Sequence, residues 1–80
     1  MQRDYTNPND AIYVSDNRSF WYVARHEGDE IVAAMSCHDY DEAKSALRNA
    51  DIDLMATAGA LAKVREGLAD GFIRRWVPFS

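Results

Sequence analysis

The chain has 80 residues, a net charge of −4 and an apolar fraction of 48 %. This length fits one small domain, and the apolar fraction argues against a disordered chain. No apolar run approaches the ~20 residues that span a bilayer, and the polar first ten residues lack the apolar segment of a secretion signal. The single cysteine excludes an intramolecular disulfide. We therefore expect one cytoplasmic domain over residues 1–80.

Charge is unevenly distributed along the chain. Residues 27–53 hold eight acids and two bases, a net charge of −6, whereas residues 63–80 carry +2. A nucleic-acid-binding domain normally has a dominant basic patch. The acidic region instead favours a basic partner, and it also suits plain solubility, so both interpretations stay open.

The first half of the chain predicts strands. Residues 1–10 are polar and contain a turn-forming Asn-Pro-Asn-Asp run, which indicates an irregular lead-in. Apolar and β-branched segments at roughly 11–15, 19–26 and 30–37 predict three consecutive strands. If the turn at Gly28 has two residues, the hairpin faces are fixed. One face then carries Phe20, Tyr22, Ala24, Ile31, Ala33 and Met35, and the other carries Trp21, Val23, Arg25, Glu30, Val32 and Ala34. The first face is the better core candidate, and Arg25 and Glu30 are a candidate cross-strand pair on the second.

The second half predicts two helices and a last strand. Asp39 is a candidate N-cap with Glu42 three residues on, and apolar residues recur at helical spacing up to residue 50. A second helix is predicted over about 53–69, where Gly59 suggests close approach to a neighbour and Gly71 a C-cap. Residues 72–77 predict an edge strand that ends at Pro78.

These elements indicate an α+β fold. We expect a small single domain with a three- to four-stranded, mainly antiparallel sheet in meander order and two helices packed on one face. The pattern leaves open the alternative that one helix packs on each face.

The candidate partner-binding surface depends on that choice. If the helices cover only the first face, Tyr13, Trp21, Val23 and Val32 form an exposed aromatic–aliphatic patch, and such patches are typical of interfaces. If both faces are covered, these residues are core. The predicted partner contacts are this patch together with the acidic Glu30, Asp39, Asp41 and Glu42.

One cluster has residue types that carry chemistry. Cys37, His38 and Asp39 are consecutive, with His26 and Asp41 near by. Zinc needs three or four converging ligands, and neighbours on an extended chain point to opposite sides. No nucleophile, phosphate or metalloprotease motif is present. We expect no catalytic residues, no metal and no cofactor, and a non-enzymatic protein.

The C-terminal strand supports an alternative function. Arg74 and Arg75 precede Trp76, and an aromatic ring beside bases is typical of nucleic-acid contacts. This reading predicts a small nucleic-acid-binding or regulatory protein of the antitoxin type. An exposed edge strand or the Trp21 face would alternatively form a homodimer.

The chain resembles two kinds of known protein. The run from Trp21 to Ala50, with EAKSALRNA in its helix, resembles the hairpin-plus-helix half of double-stranded-RNA-binding-like and antitoxin folds. In size, acidity and aromatic strands the chain is similar to phage-encoded inhibitors such as anti-CRISPR proteins. That resemblance implies a viral protein of the host cytoplasm that inhibits or adapts a larger nucleic-acid-handling complex.

Overall fold

A computed structural model describes residues 9–49 and 56–76 of the chain. Three sequence-based predictions lie outside these residues: the lead-in up to residue 8, the start of the second helix at residue 53, and the strand end at Pro78.

The described chain forms a four-stranded sheet and two helices. The elements are β1 (Asp10–Ser15), β2 (Trp21–Glu27), β3 (Glu30–Cys37), α1 (Tyr40–Asn49), α2 (Ala58–Asp70) and β4 (Ile73–Arg75). The strand order is β3-β2-β1-β4, and every pair is antiparallel. The predicted α+β class, the meander of the first three strands and the edge position of the last strand are confirmed.

The β2–β3 hairpin contains an irregularity that the sequence did not predict. The turn has two residues, with Gly28 in the left-handed region at φ 65°. Ile31 lies opposite His26, but Arg25 lies opposite Ala33, so β3 has one extra residue at this point. A β-bulge of this kind exchanges the faces of all later residues. The predicted hairpin faces are therefore correct for Ile31 and wrong for the residues of β3 that follow the bulge.

Both helices are capped by side chains. Asp39 accepts a hydrogen bond from the backbone N–H of Glu42 at 2.9 Å, and the Glu42 carboxylate accepts one from the backbone N–H of His38. The predicted N-cap is thus confirmed, and Asp39 and Glu42 together form an arrangement like a capping box. Residues 56 and 57, which were predicted as helix, are not helical. Thr57 is extended at φ −130°, its hydroxyl accepts a hydrogen bond from the Ala60 N–H, and α2 begins at Ala58. At the other end Gly71, at φ 78°, is the predicted C-cap.

The two helices pack on opposite faces of the sheet. α2 covers the face whose buried residues are Ala11, Tyr13, Tyr22, Ala24, Ile31, Ala34 and Ile73, through Ala60 and Val64. α1 covers the other face, whose buried residues are Ile12, Val14, Trp21, Val23 and Met35, through Ala43 and Ala46. The expected packing of both helices on one face was wrong, and the alternative with one helix on each face is the observed one. Every residue of β1 is buried as a result.

Candidate functional site

The predicted aromatic–aliphatic patch does not form. Tyr13 and Trp21 lie on opposite faces of the sheet, in the two separate core clusters. Tyr13 is 4 % exposed, Trp21 is 9 % exposed and Val23 is fully buried. Only Val32, at the bulge, is exposed. The prediction of these residues as a shared contact surface was wrong, because each helix covers one of the two faces.

Trp21 instead belongs to an aromatic cluster between the sheet and α1. Its ring centroid is 5.3 Å from that of Tyr40 and 5.5 Å from that of Trp76. The guanidinium carbon of Arg18 is 5.1 Å from the Trp76 ring centre, and the Lys44 ammonium is 5.4 Å from the Tyr40 ring centre. Arg18 and Lys44 thus lie over the outward faces of the Trp76 and Tyr40 rings. The cluster is therefore part of the core and does not present open aromatic rings.

The acidic candidates are exposed, but most of them have local roles. Glu30 forms an ion pair with Arg65 at 3.3 Å instead of the expected pair with Arg25. Asp39 and Glu42 cap α1, as described above. Asp41 is exposed in the first turn of the same helix. Of the three acidic candidates at the start of α1, Asp41 is therefore the one whose side chain the cap does not use.

Arg74 and Arg75 are exposed on β4, but Trp76 is not a free stacking surface. Arg74 forms an ion pair with Asp16 at 2.6 Å, with both side chains largely exposed. Trp76 is half-buried in the aromatic cluster, its face is occupied by Arg18, and its indole N–H is buried. The three C-terminal candidates therefore do not act together as one surface for stacking on a base.

The structure exposes a pair of aromatic side chains that the sequence did not single out. Phe20 is 53 % exposed and Phe72 is 45 % exposed. Their carbonyl groups accept hydrogen bonds from the N–H groups of Ser15 and Asp16 at 3.0 and 2.9 Å, so both residues are fixed at the same end of β1. The two side chains line one cavity, and we call them the Phe20–Phe72 pair.

This cavity has an apolar floor and a charged rim. Its volume is about 240 Å³. Tyr22, Gly67 and Ile73 form part of its lining, and the charged residues along it are Lys63, Glu66 and Asp70. A sequence signal existed for the pair. Each phenylalanine lies just outside a strand, next to a turn or a helix cap, where the sheet cannot enclose its side chain.

The cysteine is not activated. Burial, followed by the carboxylates of Glu42 and Asp39, raises the pKa of the Cys37 thiol to about 11. His26 lies on the opposite sheet face, where its Nε2 is 2.5 Å from the Tyr13 hydroxyl. A Cys37–His26 nucleophilic pair is therefore absent. Within residues 9–49 and 56–76, no three histidine, cysteine or carboxylate side chains converge as metal ligands.

In the described part of the chain, neither helix has the length and apolar character that crossing a bilayer requires. Comparison with known proteins gave no match to a family model, a curated protein or a solved structure.

Proposed function

We propose that the chain is a non-enzymatic binding module that holds a larger protein through the Phe20–Phe72 pair. The observation that carries this proposal is the exposure of two phenylalanines around one cavity. By contrast, the aromatic residues within the strands, Tyr13, Trp21 and Tyr22, are buried. Aromatic side chains that remain exposed together are typical of contact surfaces.

The size and rim of the cavity support a protein as the occupant. A volume of about 240 Å³ is below the roughly 300–1,000 Å³ of small-molecule sites. It suits one apolar side chain of a partner, the usual anchor of an interface. The mixed charges of Lys63, Glu66 and Asp70 suit the polar rim that surrounds such an anchor.

Affinity capture with matched variants tests this proposal. The tagged chain, Phe20→Ser, Phe72→Ser and the control Val32→Ser are incubated with nuclease-treated lysate of the native host. Val32 is also an exposed apolar residue, but it lies at the β3 bulge, away from the cavity. A protein retained by the parent chain and the control, and lost from both phenylalanine variants, supports the proposal. A protein retained equally by all four, or none, contradicts it.

The finer proposal is an inhibitor or adaptor of a basic, nucleic-acid-handling complex. Its support is the exposed acidic first turn of α1. Because Asp39 and Glu42 cap the helix, Asp41→Lys is the cleaner test, with Glu27→Lys in β2 as a charge-matched control. Slower association for Asp41→Lys alone, with the difference shrinking as salt rises, supports a basic partner. Equal rates for both variants contradict it.

Nucleic-acid binding is the second candidate function. Arg18, Arg74 and Arg75 line one cavity of about 400 Å³, which supports an anionic ligand there. This candidate site offers no open aromatic ring for base stacking at Trp76, since Trp76 packs against the core. It predicts binding to oligonucleotides that weakens steeply with salt. Unchanged fluorescence anisotropy of a labelled oligonucleotide at low salt contradicts it.

A further inference from the structure

We propose that the outer edge of β4 binds an extended, acidic segment of a partner protein as a fifth strand of the sheet. Among the strands that the structure describes, β4 pairs with β1 alone. The Trp76 N–H donates to the Ile12 carbonyl, and the Asp16 N–H donates to the Phe72 carbonyl. These bonds show that Phe72 and Trp76 turn their backbone groups towards β1. In an antiparallel ladder the alternate residues, Ile73 and Arg75, then point their N–H and C=O groups outward.

Within the described part of the chain, these outward groups are available to an added strand. Among residues 9–49 and 56–76, no backbone hydrogen bond joins Ile73 or Arg75 to a segment on the far side of β4. Ile73 and Arg75 together offer two N–H donors and two carbonyl acceptors. A peptide that adds to a sheet edge pairs with backbone groups of this kind. A three-residue strand is therefore long enough to hold an added segment.

The other edge of the sheet is protected. On β3, the Ala34 carbonyl accepts a hydrogen bond from the Thr57 N–H at 3.1 Å, and the Ile31 carbonyl accepts one from the Arg65 guanidinium at 2.7 Å. Proteins commonly cover sheet edges in this way to prevent unwanted pairing. The contrast between the two edges of one sheet makes β4 the docking side.

Charge identifies the occupant as acidic. Arg18, Arg74 and Arg75 line one cavity beside β4, where Asp16, the ion-pair partner of Arg74, is the one acid, so the lining carries a net charge of +2 (three arginines less one carboxylate) although the whole chain carries −4. Arg75 also lines the cavity beside His26, where Asp29 is the one acid, and the cavity beside Tyr40, where Lys44 and Asp10 lie. A second copy of β4 would place arginine against arginine, and like charges across a strand pair are destabilising.

A peptide matches this edge better than a nucleic acid does. The outward carbonyl groups of Ile73 and Arg75 need hydrogen-bond donors, which phosphates do not supply. A carboxylate-bearing strand supplies backbone donors and acceptors to the edge and carboxylates to the arginines at once. The side chain of Ile73 also lines the cavity of the Phe20–Phe72 pair, but Arg74 and Arg75 do not, so a variant at Arg75 tests the edge without changing the cavity lining.

Fluorescence anisotropy with synthetic peptides tests the inference. The probe is a labelled octapeptide of alternating glutamate and threonine, and the controls are its lysine–threonine counterpart and a glutamate–threonine peptide N-methylated at alternate residues. The acidic peptide is expected to bind. The lysine peptide is expected not to bind, and N-methylation to weaken binding about ten-fold or more because it removes backbone donors.

Two variants at position 75 separate the contribution of the backbone N–H to peptide binding from that of the side-chain charge. Arg75→Ala removes the charge, whereas Arg75→Pro also removes an N–H that does not bond to β1, so the sheet ladder is kept. Both variants are first checked for folding by circular dichroism. Arg75→Pro is expected to bind at least about five-fold more weakly than Arg75→Ala, while Val32→Ser, on the opposite edge strand β3, is expected to bind like the parent chain.

Several results would overturn the inference. Equal binding of the methylated and unmethylated acidic peptides would do so even if Arg75→Pro failed to fold. Absence of acidic-peptide binding at low salt is equally decisive. Tighter binding of an octathymidylate probe would assign the edge to nucleic acid, and a dimer in sedimentation that Arg75→Pro dissociates would assign it to a second copy.

Discussion

Gly67 and Ile73 are in direct contact where the last turns of α2 meet β4. A Cβ atom placed on Gly67 would lie 2.8 Å from the Cβ of Ile73 and closer still to two further carbons of that side chain. Both residues are buried. The missing side chain of Gly67 therefore lets the helix approach the edge strand, and the Phe72 N–H reaches the Gly67 carbonyl at 2.8 Å.

Gly67→Ala is expected to destabilise the fold by about 1–3 kcal/mol, because the added methyl group overlaps the β-branched Ile73. Gly59→Ala in the same helix is the matched control. Gly59 is exposed with no atom within 4 Å of an added Cβ, so helix propensity predicts about 0.5–1 kcal/mol of stabilisation. Urea denaturation of the two variants gives both values. Effects of the same sign would contradict the close contact.

The ion pair between Asp10 and Arg25 is expected to be structurally important. Its two bonds measure 2.6 and 2.9 Å, and the Asp10 side chain is 0 % exposed. Asp10→Asn leaves the Arg25 charge half-buried without its carboxylate, at a cost of about 3–5 kcal/mol. Asp16→Asn removes the exposed pair with Arg74 and should cost under about 1 kcal/mol. Similar unfolding midpoints for the two variants would argue against this difference.

Thr57 is expected to determine where α2 begins. Its hydroxyl accepts a hydrogen bond from the Ala60 N–H at 3.1 Å, so Thr57→Ala should cost about 0.5–2 kcal/mol. Ser45→Ala is the control, since Ser45 is an exposed interior residue of α1 where alanine is the better helix former. Thermal unfolding followed by circular dichroism measures both. If Thr57→Ala left the midpoint unchanged, this capping role would be wrong.

Alkaline pH is expected to weaken the fold partly through Cys37. Its thiol has a pKa of about 11 in the folded chain, against an ordinary value of 9.0. Between these values the unfolded chain binds fewer protons, so stability is fully present below pH 9 and falls as pH rises towards 11. Burial also raises the pKa values of Tyr13 and Tyr22 above the ordinary 10.0, so both tyrosines add to the loss of stability as pH rises above 10, in the parent chain and in a Cys37 variant alike.

Urea midpoints at pH 8, 9, 10 and 11 for the parent chain and Cys37→Ala test this effect. The variant should lose less stability than the parent chain between pH 9 and 11, because the buried thiol is gone. Parallel pH profiles would show that the thiol titrates alike in the folded and unfolded chains.

Local sequence signals predicted the elements well. The apolar alternation around Gly28 predicted the hairpin, and Asp39 and Gly71 predicted helix ends, because each signal acts within a few residues. Thr57 carried the same kind of signal but was missed, since the apolar spacing continued upstream of it. Gly59 was taken for the close contact that Gly67 makes, because which glycine meets the sheet depends on tertiary packing.

The candidate site was harder to predict, because it depends on which faces are covered. The four consecutive apolar residues 21–24, and the short apolar run 11–14, were the available signal. Continuous apolar runs are typical of strands buried on both faces. The bulge at Val32 had no comparable signal, yet it exchanged the faces of the rest of β3. Because the covered faces were not known, Trp21 was listed among the predicted contacts with burial in the core as the open alternative, and its neighbour Phe20 was placed on the core face.

The most direct test of this account compares these two adjacent residues. We expect Trp21→Ala to lower the free energy of unfolding by about 3–5 kcal/mol, because Trp21 is buried. We expect Phe20→Ala to lower it by about 1 kcal/mol or less, because Phe20 is exposed. Urea denaturation of both variants measures this. Equal losses, or the larger loss in Phe20→Ala, would contradict the assignment of Trp21 to the core and Phe20 to the contact surface.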